Sequence, residues 1–242
     1  MDGYALGGAA LMPKDIGSSL IGLGVYSIND ASRLTRIGQR RLRRWFSGYE
    51  FKLKGERVTS ERVLAGELPI MDGNLALSFL DLQEARCIAE FRRRRVGWKA
   101  LRRAHQQGQR ELETTHPFCS GRFKNIGRTM MYDAGTREHD DILLDIARNQ
   151  TSFRSVLSPY LHGLEFLNDK PVLWFPLNRS TRVVIDPRRS FGVPIVRSEG
   201  VQTGILDRSY RAEGSLRRVS KWYEVDIRDV KDAVRFEESL AA

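Results

Sequence analysis

The chain has 242 residues, 41% of them hydrophobic, enough to bury more than one core and to predict two or three small domains. A formal net charge of +10 makes a polyanion the first partner to consider. Two cysteines, Cys87 and Cys119, with no CxxC between them, argue against a disulfide-framed secreted scaffold, and no window offers the ~18 apolar residues that crossing a bilayer takes. A cytoplasmic protein with reduced thiols is the expectation.

Residues 1–24 are rich in glycine and lack periodicity, which predicts a flexible arm. Asp2, Lys14 and Asp15 interrupt what would otherwise resemble a signal peptide. Tyr26–Glu50, YSINDASRLTRIGQRRLRRWFSGYE, has the pattern of a short helix, a corner and a second helix. Ser27 is placed to cap a helix over Ile28–Leu34, with Asp30 in the first turn where the helix dipole favours an acid. Gly38 is placed to permit the corner. In the second helix Leu42, Trp45, Phe46 and Tyr49 fall on one face and Arg40, Arg44 and Ser47 on another, flanked by Arg43. Between Ala31 and Tyr49 there are six arginines and no acid. A solvated helix face usually mixes signs at i,i+4, so this asymmetry points to phosphates and guanine edges in a major groove.

Residues 51–63 alternate around Lys54-Gly55-Glu56 and predict a hairpin or wing, with Lys52 and Lys54 beside the helix. Met71-Asp72-Gly73-Asn74 reads as a joint. Leu75–Arg95 is an amphipathic helix ending in Arg92–Arg95, four arginines that suit either the C-terminal dipole or a second DNA contact. Val96-Gly97 turns into a helix with Trp98, Leu101, His105, Gly108 and Leu112 as its stripe, so His105 reads as a core histidine. Arg122–Tyr132 is expected to form a hairpin turning near Asn125–Gly127. Asp140–Leu167 is expected to be helical with an interruption at Ser158-Pro159. Strand-like runs follow at Lys170–Leu177 and Thr181–Asp186, around Asn178-Arg179-Ser180. The last unit predicts helices near Val201–Arg211, Ser215–Tyr223 and Ile227–Leu240, with Ser215 and Asp226 as N-caps. Residues 201–242 carry eight bases and eight acids, so the positive surplus lies before them. The acidic balance of the last helix suits protein rather than phosphate.

Catalytic motifs are sparse. His105, His116, His139 and His162 show no HxxxH spacing, and neither a P-loop nor GxSxG occurs. Glu138-His139-Asp140-Asp141 is the one acidic cluster that could hold a divalent ion for a nuclease, but acids before Ile142 are also what a helix start carries. The reading is of a protein that is not an enzyme and needs no metal or cofactor.

SINDASRLT, the corner and RLRRWFSGY resemble the MerR-type helix-turn-helix of bacterial regulators. SFLDLQEARCIAEFRRRRVGWKALRRA, followed by HPF and RFKNIGR, resembles the middle of a bacterial family carrying such a unit. VVIDPRRSFGVPIV to VRFEESL is similar to a small domain found in VapB-type antitoxins. The likeness spans about residues 20–240. It implies a mainly α fold with short β-hairpins. A winged helix-turn-helix would occupy residues 25–72, a second helix-turn-helix-like unit with a hairpin 75–135, and a helical connector and strand 140–180. A three-helix antitoxin domain over residues 181–242 would serve dimerisation and toxin binding. It further implies a type II antitoxin that silences a PIN-like ribonuclease toxin and represses its own operator DNA, as a homodimer or in a hetero-oligomer with the toxin. Duplex contact passes by resemblance to Gln39, Arg40, Arg43 and Arg44, with Lys52 and Lys54 in the wing, and Arg41 joins them on charge. Phe191, Pro194, Trp222 and Tyr223 are named for toxin or dimer contact on aromatic chemistry alone. The alternatives are a stand-alone MerR-like regulator or recombination directionality factor without a toxin, and the nuclease.

Overall fold

The computed structural model describes residues 20–70, 73–177 and 180–241. The expected arm, as far as residue 19, lies outside them, as do Met71-Asp72 of the joint and Asn178-Arg179 of the turn. The protein is mainly helical with short antiparallel strand pairs.

β1 (Tyr26–Ser27) leads into α1 (Ile28–Thr35), which starts where expected: the Ser27 hydroxyl accepts from the Asp30 amide at 3.1 Å. Arg36 ends α1 in the left-handed conformation, φ 59°, and returns its amide to the Ser32 carbonyl. Gly38 itself has φ −54°, open to any residue, so the corner turns on Arg36 rather than on the glycine. α2 (Gln39–Ser47) buries Leu42, Trp45 and Phe46. Tyr49, expected on that face, begins a strand and is exposed, because Gly48 at φ 72° breaks the helix first.

β2 (Tyr49–Leu53) and β3 (Glu56–Ser60) form the expected hairpin, in register Tyr49↔Ser60 to Leu53↔Glu56. Lys54 and Gly55 both have positive φ, the geometry of a two-residue primed turn. β4 (Ala76–Leu77) then pairs with β1, and only afterwards does α3 (Phe79–Arg93) begin. The later start has a local cause. Ser78 and Asp81 make a reciprocal capping box, so Leu75 belongs to the strand approach and not to the helix.

Arg95 (φ 67°) and Gly97 turn α3 into α4 (Trp98–Leu112). The hairpin expected at Arg122–Tyr132 is instead the first half of α5 (Phe123–Glu138). Asn125–Gly127 mimics turn chemistry, but Gly127 is a packing site: a Cβ there would meet the Phe123 ring at 2.6 Å. Phe123, Gly127, Met130, Met131 and Ala134 form a buried helical stripe at steps of four, three, one and three. α5 lies closely on α4, where a Cβ on Gly108 would meet the Met130 methyl at 2.6 Å. The long helix expected over Asp140–Leu167 is α6 (Asp141–Arg148) and α7 (Gln150–Leu161), broken at Asn149 rather than at Pro159. Asn149 offers its side chain to the Thr151 and Ser152 amides and so starts a new helix, while α7 continues through Pro159 to Leu161. Leu164–Leu167 is not helical but β5, paired with β6 (Lys170–Trp174).

β7 (Val183–Val184) pairs with β8 (Ile195–Val196), followed by α8 (Thr203–Glu213), α9 (Leu216–Tyr223) and α10 (Ile227–Ala241). Ser215 and Asp226 cap as expected, accepting the Arg218 and Arg228 amides. One hydrophobic core runs from Tyr26 to Ile185 and includes a ring cluster of Phe91, Phe118, Phe123 and Phe153. A second gathers Val196, Leu206, Val219, Val225, Val230, Ala233 and Val234. The last unit is tied back to the first. The Tyr26 hydroxyl donates to the Gly192 carbonyl at 3.0 Å, Arg33 pairs with Glu237 at 3.6 Å, and Arg36 donates to the Ser239 carbonyl.

The larger core also encloses acids. Asp81 contacts His116 Nε2 at 2.9 Å, and Glu84 accepts from the Phe118 amide at 3.0 Å. His105 is indeed a core residue; its Nε2 lies 3.3 Å from Glu84 Oε2 without the alignment of a hydrogen bond.

Candidate nucleic-acid interface

The apolar half of α2 determines what its charged half can do. Leu42 and Phe46, each at most 3% exposed, hold the helix on the core by about 1.5–3 kcal/mol apiece. That orientation leaves Gln39, Arg40, Arg41 and Arg43 exposed, with Arg44 half-buried. Among the described residues none of the four arginines of α2 has a carboxylate within ion-pair distance. Gln39 is steadied by Asn29, to which its side-chain amide donates at 3.1 Å. Lys52 and Lys54 are exposed on the hairpin, Lys54 at its tip. All seven residues therefore sit on one helix and the hairpin that follows it.

Within α2 the arginines part into two directions. Arg40 and Arg43 lie on the outward side, whereas Arg41 and Arg44 line a cleft of about 690 Å³. Arg44 lies over the Tyr49 ring, 4.4 Å from guanidinium carbon to ring centroid. The C-terminal end of α3 and the first turns of α4 line the same cleft with Arg92, Arg93 and Arg102, and so does Arg36. Periodicity could not find Arg36 or Arg102, because it says which residues share a face but not which faces meet. The run Arg92–Arg95 is divided by the same geometry. Arg92 and Arg93 line the cleft, while Arg94 donates to Ser155 at 3.1 Å and Arg95 is exposed on the turn.

The acidic cluster is bound into the fold. Glu138 pairs with Arg103, and Asp140 accepts from the Leu143 amide at 2.9 Å and the Gly97 amide at 2.6 Å, capping α6 and fixing the α3–α4 corner. Among the described residues no three His, Cys, Asp or Glu side chains gather as metal ligands. The aromatic residues named in the last unit differ in what they present. Phe191 and Trp222 are 61% and 59% exposed, whereas Pro194 is half-buried and the half-buried Tyr223 shares its hydroxyl with Ser209 at 2.9 Å.

No family model matches the chain. The chain is 25% identical over 230 residues to the Mycobacterium tuberculosis protein named "Putative antitoxin VapB45", covering 87% of this chain and 93% of that protein. Its fold is similar to the crystal structure of Rv2018 from the same organism, with a TM-score of 0.64 at 20% identity, over 86% of this chain and 96% of that one.

Proposed function

We propose that this chain is the antitoxin of a toxin–antitoxin pair, binding a PIN-like ribonuclease toxin and repressing its own operator through α2. The observation that carries the DNA half is the unpaired arginine face of α2, held outward by Leu42, Trp45 and Phe46. The similarity to a protein named as an antitoxin along 87% of the chain supports the toxin half. In this reading residues 25–72 are a winged helix-turn-helix of MerR type. Residues 75–135 form a second helical unit, 140–180 a connector, and 181–242 the domain for dimerisation and toxin contact, in which Phe191 and Trp222 are the exposed anchors. Gln39, Arg40 and Arg43 read base edges and phosphates; Arg41, Arg44, Lys52 and Lys54 hold the backbone. The chain acts as a regulator and not as an enzyme.

The deciding experiment is co-expression with the neighbouring reading frame. The toxin should co-purify and lose its ribonuclease activity, and Arg40→Ala with Arg43→Ala should abolish operator binding while sparing that neutralisation. Loss of both functions in the double variant would mean one inseparable surface. A neighbour that never binds would leave the stand-alone regulator as the better account.

A further inference from the structure

The cleft beside α2 has a property beyond the reading of DNA by that helix. Four of its six arginines are held in place by groups other than carboxylates. Arg92 donates to the Val96 carbonyl and lies 4.6 Å over the Trp98 ring; Arg102 donates to the Ser60 hydroxyl at 3.2 Å and to the Glu61 carbonyl at 2.7 Å. Arg36 is fixed by the Ser239 carbonyl and Arg44 by the Tyr49 ring. Among the described residues only Arg93 of these has a carboxylate within ion-pair distance, Glu90 at 2.8 Å, and Glu61 is the one acid in the lining. Six guanidiniums facing two carboxylates leave four positive charges around about 690 Å³.

We propose that this cleft is a phosphate receptor assembled between α2 and the α3–α4 corner, taking a ligand with several phosphates. Guanidinium forks match phosphate oxygens two at a time, and hydrogen bonds between ionised partners are the strong ones. The volume falls in the ~300–1,000 Å³ range of small-molecule sites, so a nucleotide-sized oligophosphate fits whole. A surplus of four charges calls for a compact polyanion rather than a lone carboxylate. Burial pulls the Arg92 pKa down; nearby Asp140 opposes that and Arg41 adds to it, a like-charge strain that a bound anion would relieve. The phosphates have two possible sources, a free oligophosphate or the backbone of a duplex docked beside α2, and the receptor chemistry is the same for both.

Calorimetric titration of the full chain with inorganic triphosphate tests the site without DNA, so its outcome is independent of whether α2 reads an operator. One saturable site is expected. Arg92→Ala with Arg102→Ala should weaken it about tenfold or more, as should Arg41→Glu at an exposed position in the lining. Arg94→Ala with Arg95→Ala removes the same charge outside the cleft and should change nothing. No saturable binding, equal weakening in both double variants, or equally tight binding of an oligoglutamate would each overturn the proposal. Where triphosphate binds, its displacement by a duplex assigns the phosphates to a DNA backbone, and simultaneous binding assigns them to a free ligand; both uphold the receptor.

Discussion

Two glycines flank α2 and have opposite sensitivities. Gly48 has φ 72° and ψ −172°, and a Cβ there would stand 2.6 Å from the Ser60 carbonyl oxygen. Gly38 has an ordinary φ and open space around it. Gly48→Ala should therefore cost about 1–3 kcal/mol and loosen the hairpin, whereas Gly38→Ala should cost well under that, as urea unfolding of the two variants would report. A second residue-scale consequence comes from the buried pair His116–Asp81. Burial alone would lower the His116 pKa, but the hydrogen bond to Asp81 and the Glu84, Asp81 and Glu67 charges outweigh it, so the value rises above the usual 6.5. Protons thus favour the folded chain. That contribution is complete below the ordinary value and disappears as pH climbs through the raised one. Melting temperature should fall as pH rises above about 6.5, and His116→Gln should flatten that slope; an unchanged slope in the variant would place the titration elsewhere. Neither effect is visible in the sequence, since Gly38 looked like the corner residue and His116 carried no motif.

At the scale of elements, legibility followed how local each signal was. α1 and α9 begin where Ser27 and Ser215 can cap them, because capping is decided within three residues. α5 replaces the expected hairpin: Asn125-Ile126-Gly127 has turn composition, while the reason for Gly127 is the Phe123 ring one helical turn away. The break falls at Asn149 because its side chain accepts the Thr151 and Ser152 amides, a cap decided within three residues, whereas the helix runs on through Pro159. The charge of α2 was fully legible and makes a quantitative demand. If some six phosphates are neutralised, duplex affinity should fall about a thousandfold between about 50 and 200 mM salt, and Lys52→Ala, which removes one backbone contact, should lower the slope by about one. Affinity indifferent to salt would remove the DNA reading.

For the molecule as a whole, the shared core matters most. Leu42, Trp45 and Phe46 of α2 lie in the same apolar cluster as Leu82, Ile88 and Phe91 of α3 and Phe153 of α7. Leu82→Ala, at a wholly buried site, should cost about 2–5 kcal/mol and shift the unfolding of α2 and of α7 together rather than in separate steps, which site-resolved hydrogen exchange can follow. The sequence by itself determined where α1 and α9 begin, the unbalanced positive charge of α2 and the hairpin behind it, because periodicity, caps and turn residues act over a few neighbours. Only the tertiary structure decided that Arg41 and Arg44 line one cleft with Arg92, Arg93 and Arg102, and that Arg94 and Arg95 do not. A periodic pattern says which side of a helix points away from its own core contacts. What that side points at is decided by the packing of other elements, here the corner at Arg95–Gly97 that carries α4 back beside α2.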